Sequence, residues 1–308
     1  MYFYVMGRGR SGSTILDILL GNSSQIESVG ELVFGLTRAD REQCSCGQSL
    51  ANCAFWSRVR RDLEAQGFGW DEACSMLDRG AVGLWRVWRS GRTDSTMVRR
   101  AETTRALTRV ITTIAGKPHL LDSGKGPAHG LVLLRHLPEA RVIHLVRDPR
   151  AMLQSMYWRV RTRSHLNSRQ LLVAKFSAPL FLAWSALDWS VVNMLCELMA
   201  RTYPGRTLRV RFEDLCAQPS TELERIGRAF GLELAELTSL SEKATQRVPL
   251  EVGHNIGGNH LRHGEVVRFD PDGGRREISL PRWLSFVITV LCGPLMLRYG
   301  YRFRGSGA

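Results

Sequence analysis

Apolar runs and polar breaks alternate along the chain in a way that predicts strands alternating with helices. "YFYVM" (2–6) suits a buried first strand. After a glycine-rich stretch, "STILDILLGN" places apolar residues at helical spacing and stops at Gly21-Asn22. "ESVGELVF" predicts a second strand or strand end. Residues 38–70 are polar, cysteine-bearing and irregular. Residues 71–115 predict helix, with Leu84, Val87 and Trp88, then Leu107, Val110 and Ile111, at i, i+3 and i+4. "HLLDSGKGP" predicts a strand entering a turn, and "GLVLLRHLP" a helix. "ARVIHLVRDP" is apolar without interruption up to a charged turn, as in a parallel strand buried on both faces. "AMLQSMYWRV" opens a helix, and residues 170–200 predict a long one in which Trp184 and Trp189 belong to the core. "TLRVRFEDL" predicts a strand and "STELERIGRAFGLE" a capped helix. No repeat or low-complexity tract interrupts the series. The expected fold class is α/β: three layers, with a central parallel sheet flanked by helices.

The 308 residues suffice for one large α/β domain or two smaller ones. Apolar content of 44% and charge of 23% are ordinary, but a net charge of +13 is not. Such an excess concentrates anions: nucleic acid, a phosphorylated cofactor, an acidic substrate or an anionic membrane face. The basic residues are spread along the chain and no nucleic-acid module is visible, so nucleic acid is not an expected partner. Nearly all are arginine, the better bidentate ligand for phosphate and sulfate. No secretory signal precedes Arg8. The apolar stretch 283–297 contains Gly293-Pro294 and falls short of the ~20 residues that span a bilayer. It reads as a buried terminal helix, with peripheral membrane contact the alternative. The seven cysteines do not suggest a disulfide framework. Cys44, Cys46 and Cys53 cluster in "CSCGQSLANCAFW". That grouping suits zinc with Cys74 as a fourth ligand, but the spacing is not that of a common zinc module, and reduced thiols in a compact loop satisfy it equally.

Two segments carry the chemistry. Gly7 to Thr14, "GRGRSGST", joins the first strand to the first helix. A strand entering a helix through such a turn makes an anion nest of backbone N–H groups and the helix N-terminus. Gly12 permits close approach, Ser11, Ser13 and Thr14 add hydroxyls, and Arg10 adds charge. The lysine of the nucleotide-triphosphate loop GxxxxGK[ST] is missing, which disfavours triphosphate chemistry. A bare capping turn is the alternative. In "VRDPRAMLQS", Arg147 leaves a buried strand and Ser155 lies two turns into the next helix. Ligands in open α/β sheets bind at the carboxyl ends of strands, so both can reach a phosphate. A strand-end ion pair and a solvent-facing serine also satisfy this pattern.

Together, "RSGST" and "RDPRAMLQS" resemble the sulfotransferases that use 3′-phosphoadenosine-5′-phosphosulfate (PAPS), whose fold is like that of P-loop NTPases. "LRVRFEDLCAQPSTELERIGRAFGL", with Phe212 where the family has tyrosine, and "HNIGGNHLR" extend the resemblance over nearly the whole chain. It implies that Arg10, Ser11, Gly12, Ser13 and Thr14 hold the 5′-phosphosulfate, that Arg147 and Ser155 hold the 3′-phosphate, and that Arg262 lies near the cofactor. It implies in-line transfer of a sulfuryl group to a hydroxyl of a carbohydrate, lipid or natural-product acceptor, with no metal in the reaction. Glu31, in "GE" after the second strand-like segment, is the expected general base, as in family members with that pair; others use histidine. Lys125 would balance charge on the sulfuryl group, with Asp122 orienting it or touching the acceptor. His129, His136 and His144 read as core or surface residues. One domain over 1–308 is expected, with acceptor-site insertions roughly at 38–115 and 157–180, the second including Arg159, Arg161 and Arg163. The absent signal, and a cofactor made in the cytoplasm, imply a cytoplasmic location, with the inner membrane face open. The alternative activity is a P-loop kinase using a nucleoside triphosphate.

Overall fold

The computed structural model describes all residues except 76–86, 90–93, 163–167, 265, 275–277 and 303–308; of residues 159, 162, 168–177 and 234 only the backbone is described. Leu84 and Arg163 therefore lie outside the described residues, as does the side chain of Arg159.

The chain opens with β1 (Tyr2–Met6), α1 (Ser13–Gly21), β2 (Ile26–Ser28) and α2 (Leu32–Leu36). Next come α3 (Ala54–Ala65), α4 (Trp70–Cys74), α5 (Ser95–Ala115), β3 (His119–Lys125), α6 (Pro127–His136) and β4 (Ala140–Val146). They are followed by α7 (Pro149–Thr162), α8 (Ser168–Thr202), β5 (Thr207–Arg211), α9 (Phe212–Ala217), α10 (Pro219–Phe230) and α11 (Leu234–Thr245). A small antiparallel pair, β6 (Pro249–Glu251) and β7 (Val266–Arg268), precedes the terminal helix α12 (Arg282–Arg298).

The main sheet has strand order β2-β3-β1-β4-β5, all parallel. The α/β reading is therefore the observed fold class. β1 lies at its centre and is buried along its whole length. Its period-2 alternation sends Tyr2, Tyr4 and Met6 to one face and Phe3 and Val5 to the other. The first set packs with Trp56, Leu107 and Leu133 of α3, α5 and α6; the second packs with Leu16, Leu19 and Leu223 of α1 and α10. A third apolar cluster joins Leu153, Leu182, Trp189 and Ile288, from α7, α8 and α12. The chain runs from β1 to β2 and back to β3 on one side, then crosses over β1 to β4 and β5 on the other. That reversal opens a crevice at the carboxyl ends of the central strands.

Some expectations need correction. "ESVGELVF" is a strand only as far as Ser28; Gly30, at φ 74°, turns the chain and Leu32 begins a helix. Residues 38–70 are not irregular throughout, because Trp56, Val59 and Leu63 recur at helical spacing and are buried by α3. Trp189 is core, but Trp184 is 63% exposed. The apolar run around both was right for helix, but α8 is apolar on two faces and only one packs inward. On α12, Leu284, Ile288, Cys292 and Met296 are buried while Trp283, Phe286, Val290 and Leu297 are exposed.

Candidate active site

The glycine-rich loop leaves β1 and enters α1 through Gly12, whose φ of 92° is left-handed. A Cβ at Gly12 would lie 2.2 Å from the Phe212 ring, so the loop backbone rests on that ring and only glycine fits. The amides of Ser13 and Thr14, at the start of α1, have no intrahelical partner by construction, whereas Ile15 N–H already donates to the Gly12 carbonyl at 3.0 Å. Ser11 is 4% exposed and its hydroxyl has no hydrogen-bond partner. A buried hydroxyl left in that state costs about 1–3 kcal/mol, which an oxygen-rich anion at the loop would remove. Arg10 has φ 75°, a conformation that bulky side chains rarely adopt. That turn sends its guanidinium across the crevice, where Nε donates to Ser155 Oγ at 3.0 Å.

Arg147 emerges from β4. Its guanidinium lies 4.7 Å from the centre of the Phe212 ring and donates to the Gly273 carbonyl at 3.3 Å. The turn that carries it is fastened on three sides. Asp148 N–H donates to Glu213 Oε1 (2.9 Å), Tyr301 O–H donates to Glu213 Oε2 (2.8 Å), and Trp189 Nε1–H donates to the Arg147 carbonyl (3.1 Å). Asp148 caps its own helix by accepting the Arg150 N–H at 2.8 Å. Phe212 and Glu213 of the "RFEDL" segment thus support both the glycine-rich loop and the Arg147 turn, one from beneath the loop and one from behind the turn.

On the other side of β1, Glu31 and Lys125 form an ion pair, with side chains only 12% and 17% exposed. Lys125 ends β3 with φ 65°. Among the described residues only Arg10, Lys125 and Arg247 are non-glycine residues with positive φ, and two of the three face this crevice. Strain of this kind costs roughly 1–3 kcal/mol and persists where the surroundings demand it. Glu31 is positioned by its backbone: its N–H donates to the Ile256 carbonyl at 2.7 Å, and Gly30 bridges Ile256. Gly257 and Gly258 pack directly on its side chain; a Cβ on Gly257 would lie 2.8 Å from Glu31 Cβ.

Asp122 does not orient Lys125 or face an acceptor. It is fully buried, accepting from Tyr2 O–H (2.7 Å) and from Leu32 N–H (3.0 Å). It therefore anchors the turn that carries Glu31. Burial pushes its carboxyl up to about 7. Asp17, buried in α1, is likewise pushed up to about 7 by burial, against the bonds it accepts from Ser28 Oγ (2.6 Å) and Asn255 Nδ2 (2.8 Å). His129 and His144 are buried core residues, both pushed down to about 4 by burial; His129 packs on Tyr4 and His144 shares a hydrogen with Asn193.

The structure thus brings together Arg10, Ser11, Gly12 and Ser155 with Arg147, and sets Glu31 against Lys125 across β1. It does not bring Arg262 to them. That guanidinium is buried, paired with Glu42, and donates to the Asn255 carbonyl (3.0 Å) and the Gln43 carbonyl (2.6 Å). It clamps the cysteine loop to the 255–262 segment.

Residues 3–236 match the profile of the sulfotransferase family. The chain belongs to that family. Omega-hydroxy-beta-dihydromenaquinone-9 sulfotransferase Stf3 of Mycobacterium bovis is 30% identical over 118 residues, which are 35% of this chain and 28% of that protein. The match thus spans under a third of the curated relative's length. Among solved structures, the sulfotransferase domain of the Synechococcus PCC 7002 olefin synthase aligns with 98% of this chain and 94% of its own (TM-score 0.54, 21% identity). Sulfotransferase STF9 of Mycobacterium avium aligns with 99% of this chain and 78% of its own (TM-score 0.54, 15% identity). At these identities the likeness is one of fold, and it agrees with the P-loop-like layering described above.

Within this member of the family, sequence reasoning missed the supporting roles of Trp189, Glu213 and Tyr301, and the place of His254. Only Glu213 left a signal, as the acidic residue inside "RFEDL".

Proposed function

We propose that this sulfotransferase moves a sulfuryl group from PAPS to the hydroxyl of a small-molecule, glycan or lipid acceptor, with Glu31 as general base. The observation that carries this reading is the convergence of two anion-facing segments: Arg10 Nε lies 3.0 Å from Ser155 Oγ, beside Arg147 and the partnerless Ser11 hydroxyl. These groups suit a donor with phosphate-type charge at two points. PAPS supplies a sulfuryl group bound through oxygen to its 5′-phosphate. The loop amides, Ser11, Ser13 and Thr14 would hold that end; Arg147 and Ser155 would hold the 3′-phosphate. Fixed donors of this kind stabilise charge as it develops, without reorganising. Glu31 accepts the hydroxyl proton as the acceptor oxygen attacks sulfur in line. Lys125, its ion-pair partner, is near enough to turn toward the sulfuryl oxygens and neutralise them. Arg147 and Arg10 keep the nucleotide's negative charge matched after the S–O bond has broken.

The deciding experiment is calorimetry with 3′-phosphoadenosine-5′-phosphate, with ADP and AMP as controls and no added metal. Micromolar binding that requires the 3′-phosphate supports the reading, and a screen of acceptors with labelled PAPS follows. Equal binding of ADP with Mg²⁺ would favour the kinase instead.

The surface favours an acceptor presented at a membrane. Leu180, Trp184, Leu187, Val191, Met194 and Leu198 recur at alternating four- and three-residue spacing along the outer face of α8, and all are exposed. Phe286 and Val290 extend the patch on α12, which packs beside it. Ala178–Thr202 is long and apolar enough to cross a membrane by length and composition, but 39% of its apolar window is buried inside the protein. Contact along one face fits that partial burial better than a crossing. A net charge of +13 adds attraction to anionic lipid. In vesicle flotation the protein should rise with anionic vesicles, and Trp184→Glu with Phe286→Glu should abolish this. A soluble dimer that ignores vesicles would assign the stripe to self-association.

A further inference from the structure

Outside the crevice, four metal-ligating side chains meet at one point. Cys44, Cys46 and Cys53 come from the loop before α3, and His254 comes from a segment some two hundred residues later. Their ligand atoms all lie within 4.8 Å of one another. His254 Nδ1 is 3.5 Å from Cys44 Sγ and 3.4 Å from Cys53 Sγ, and Cys46 Sγ is 3.6 Å from Cys53 Sγ. Tetrahedral Zn²⁺ with Zn–S near 2.3 Å and Zn–N near 2.0–2.1 Å separates its ligands by about 3.8 Å (S to S) and about 3.5 Å (S to N). The three spacings of 3.4, 3.5 and 3.6 Å lie close to these values.

The surroundings orient the ligands. The His254 ring stacks on Phe55, with centroids 4.8 Å apart and planes 5° from parallel, and the His254 carbonyl accepts from Trp56 Nε1 at 2.9 Å. These contacts hold Nδ1 toward the sulfurs. The loop is a tight turn in which Gly47 N–H donates to the Cys44 carbonyl (2.9 Å) and Cys44 N–H to the Gln48 carbonyl (2.9 Å). Cys44 and Cys53 are buried, while Cys46 is exposed and gives the site an entrance. Cys74, the fourth ligand suggested by chain proximity, is not in the group; it sits half-buried in α4.

We propose that Cys44, Cys46, Cys53 and His254 bind one Zn²⁺ as a structural, four-coordinate site. Its position gives it a task. It staples the cysteine loop to the 253–258 segment, where Ser45 N–H donates to the Asn255 carbonyl (3.0 Å) and Gly257 N–H donates to Glu42 Oε1 (3.0 Å). Gly257 and Gly258 form the wall against Glu31. The metal would stiffen that wall and take no part in the transfer. A site whose four positions are all protein ligands leaves none for a substrate.

The test is the metal content of the full chain, purified under reductant without chelator. One zinc per chain is expected by elemental analysis and by native mass spectrometry. Exchange with Co²⁺ should give the visible bands of tetrahedral cobalt and a thiolate charge-transfer band. Cys46→Ser and His254→Ala should lose stoichiometric zinc, and Cys74→Ser should keep it. Wild-type protein treated with chelator should show faster amide exchange across 250–263, so the proposal does not depend on how well the variants fold. Wild-type protein that carries no zinc, gives no cobalt–thiolate band with its thiols reduced, or holds a Cys46–Cys53 disulfide would overturn it.

Discussion

At the scale of single residues, Glu31 is the most exposed to test. Glu31→Gln keeps the packing under Gly257-Gly258 but cannot take a proton. Turnover should fall by about 10²-fold or more, with nucleotide affinity unchanged by calorimetry. Full activity in that variant would remove Glu31 as the base. Arg147→Ala deletes a charge that rests on an aromatic face. Loss of one charge-assisted contact corresponds to about 1.5–3 kcal/mol, so 3′-phosphorylated nucleotide should bind roughly ten- to a hundredfold more weakly. The analogue without the 3′-phosphate should barely change; an equal loss for both would put Arg147 elsewhere in the site.

At the scale of elements, the crevice depends on close packing between segments far apart in the chain. Gly12→Ala would press a methyl into the Phe212 ring at a backbone angle that suits glycine. It should destabilise the fold by about 1–3 kcal/mol in denaturant titration and weaken nucleotide binding as well. Binding lost with stability intact would mean that the loop backbone adjusts without the ring. The elements themselves were largely legible in the sequence. β1 and β4 announce themselves as apolar runs and β5 as the alternating "TLRVR", and "RSGST" and "RDPRAMLQS" mark the carboxyl ends of β1 and β4. What was not legible is what the elements press against. Phe212 reads as a family substitution, yet it is the floor of the loop. Trp184 and Trp189 share one apolar run, and periodicity places both on a helix without saying which face meets the core. Cys74 lies near the other cysteines in the chain but His254 lies near them in space, because β6 and the segment after it return to the cysteine loop. Arg262 follows "GGN" as the resemblance implies, but Glu42, with no motif of its own, holds it away from the crevice.

For the molecule as a whole, two buried carboxyls set an unusual response to pH. Asp17 and Asp122 are held near 7 when folded, and both return to the ordinary range, near 4, when unfolded. Between these values the folded state binds more protons, so stability falls as pH rises. Each group contributes a loss on the order of 1.4 kcal/mol per pH unit across about pH 4 to 7. Asp17→Asn should therefore narrow the difference in unfolding free energy between pH 5 and pH 8; an unchanged difference would mean that Asp17 is ionised throughout. The strand order has a consequence of another kind. β1 lies at the middle of the sheet, and Met6 is paired with Lys125 and His144. On a ribosome, β1 and the glycine-rich loop after it emerge well before either neighbouring strand. They must stay in contact with solvent or a chaperone while more than a hundred residues are added. Local helices such as α3 can form early, but the nest between β1 and α1 acquires its walls only when β3 and then β4 are available. The loop thus reaches its packed form late in synthesis, long after its own residues are joined.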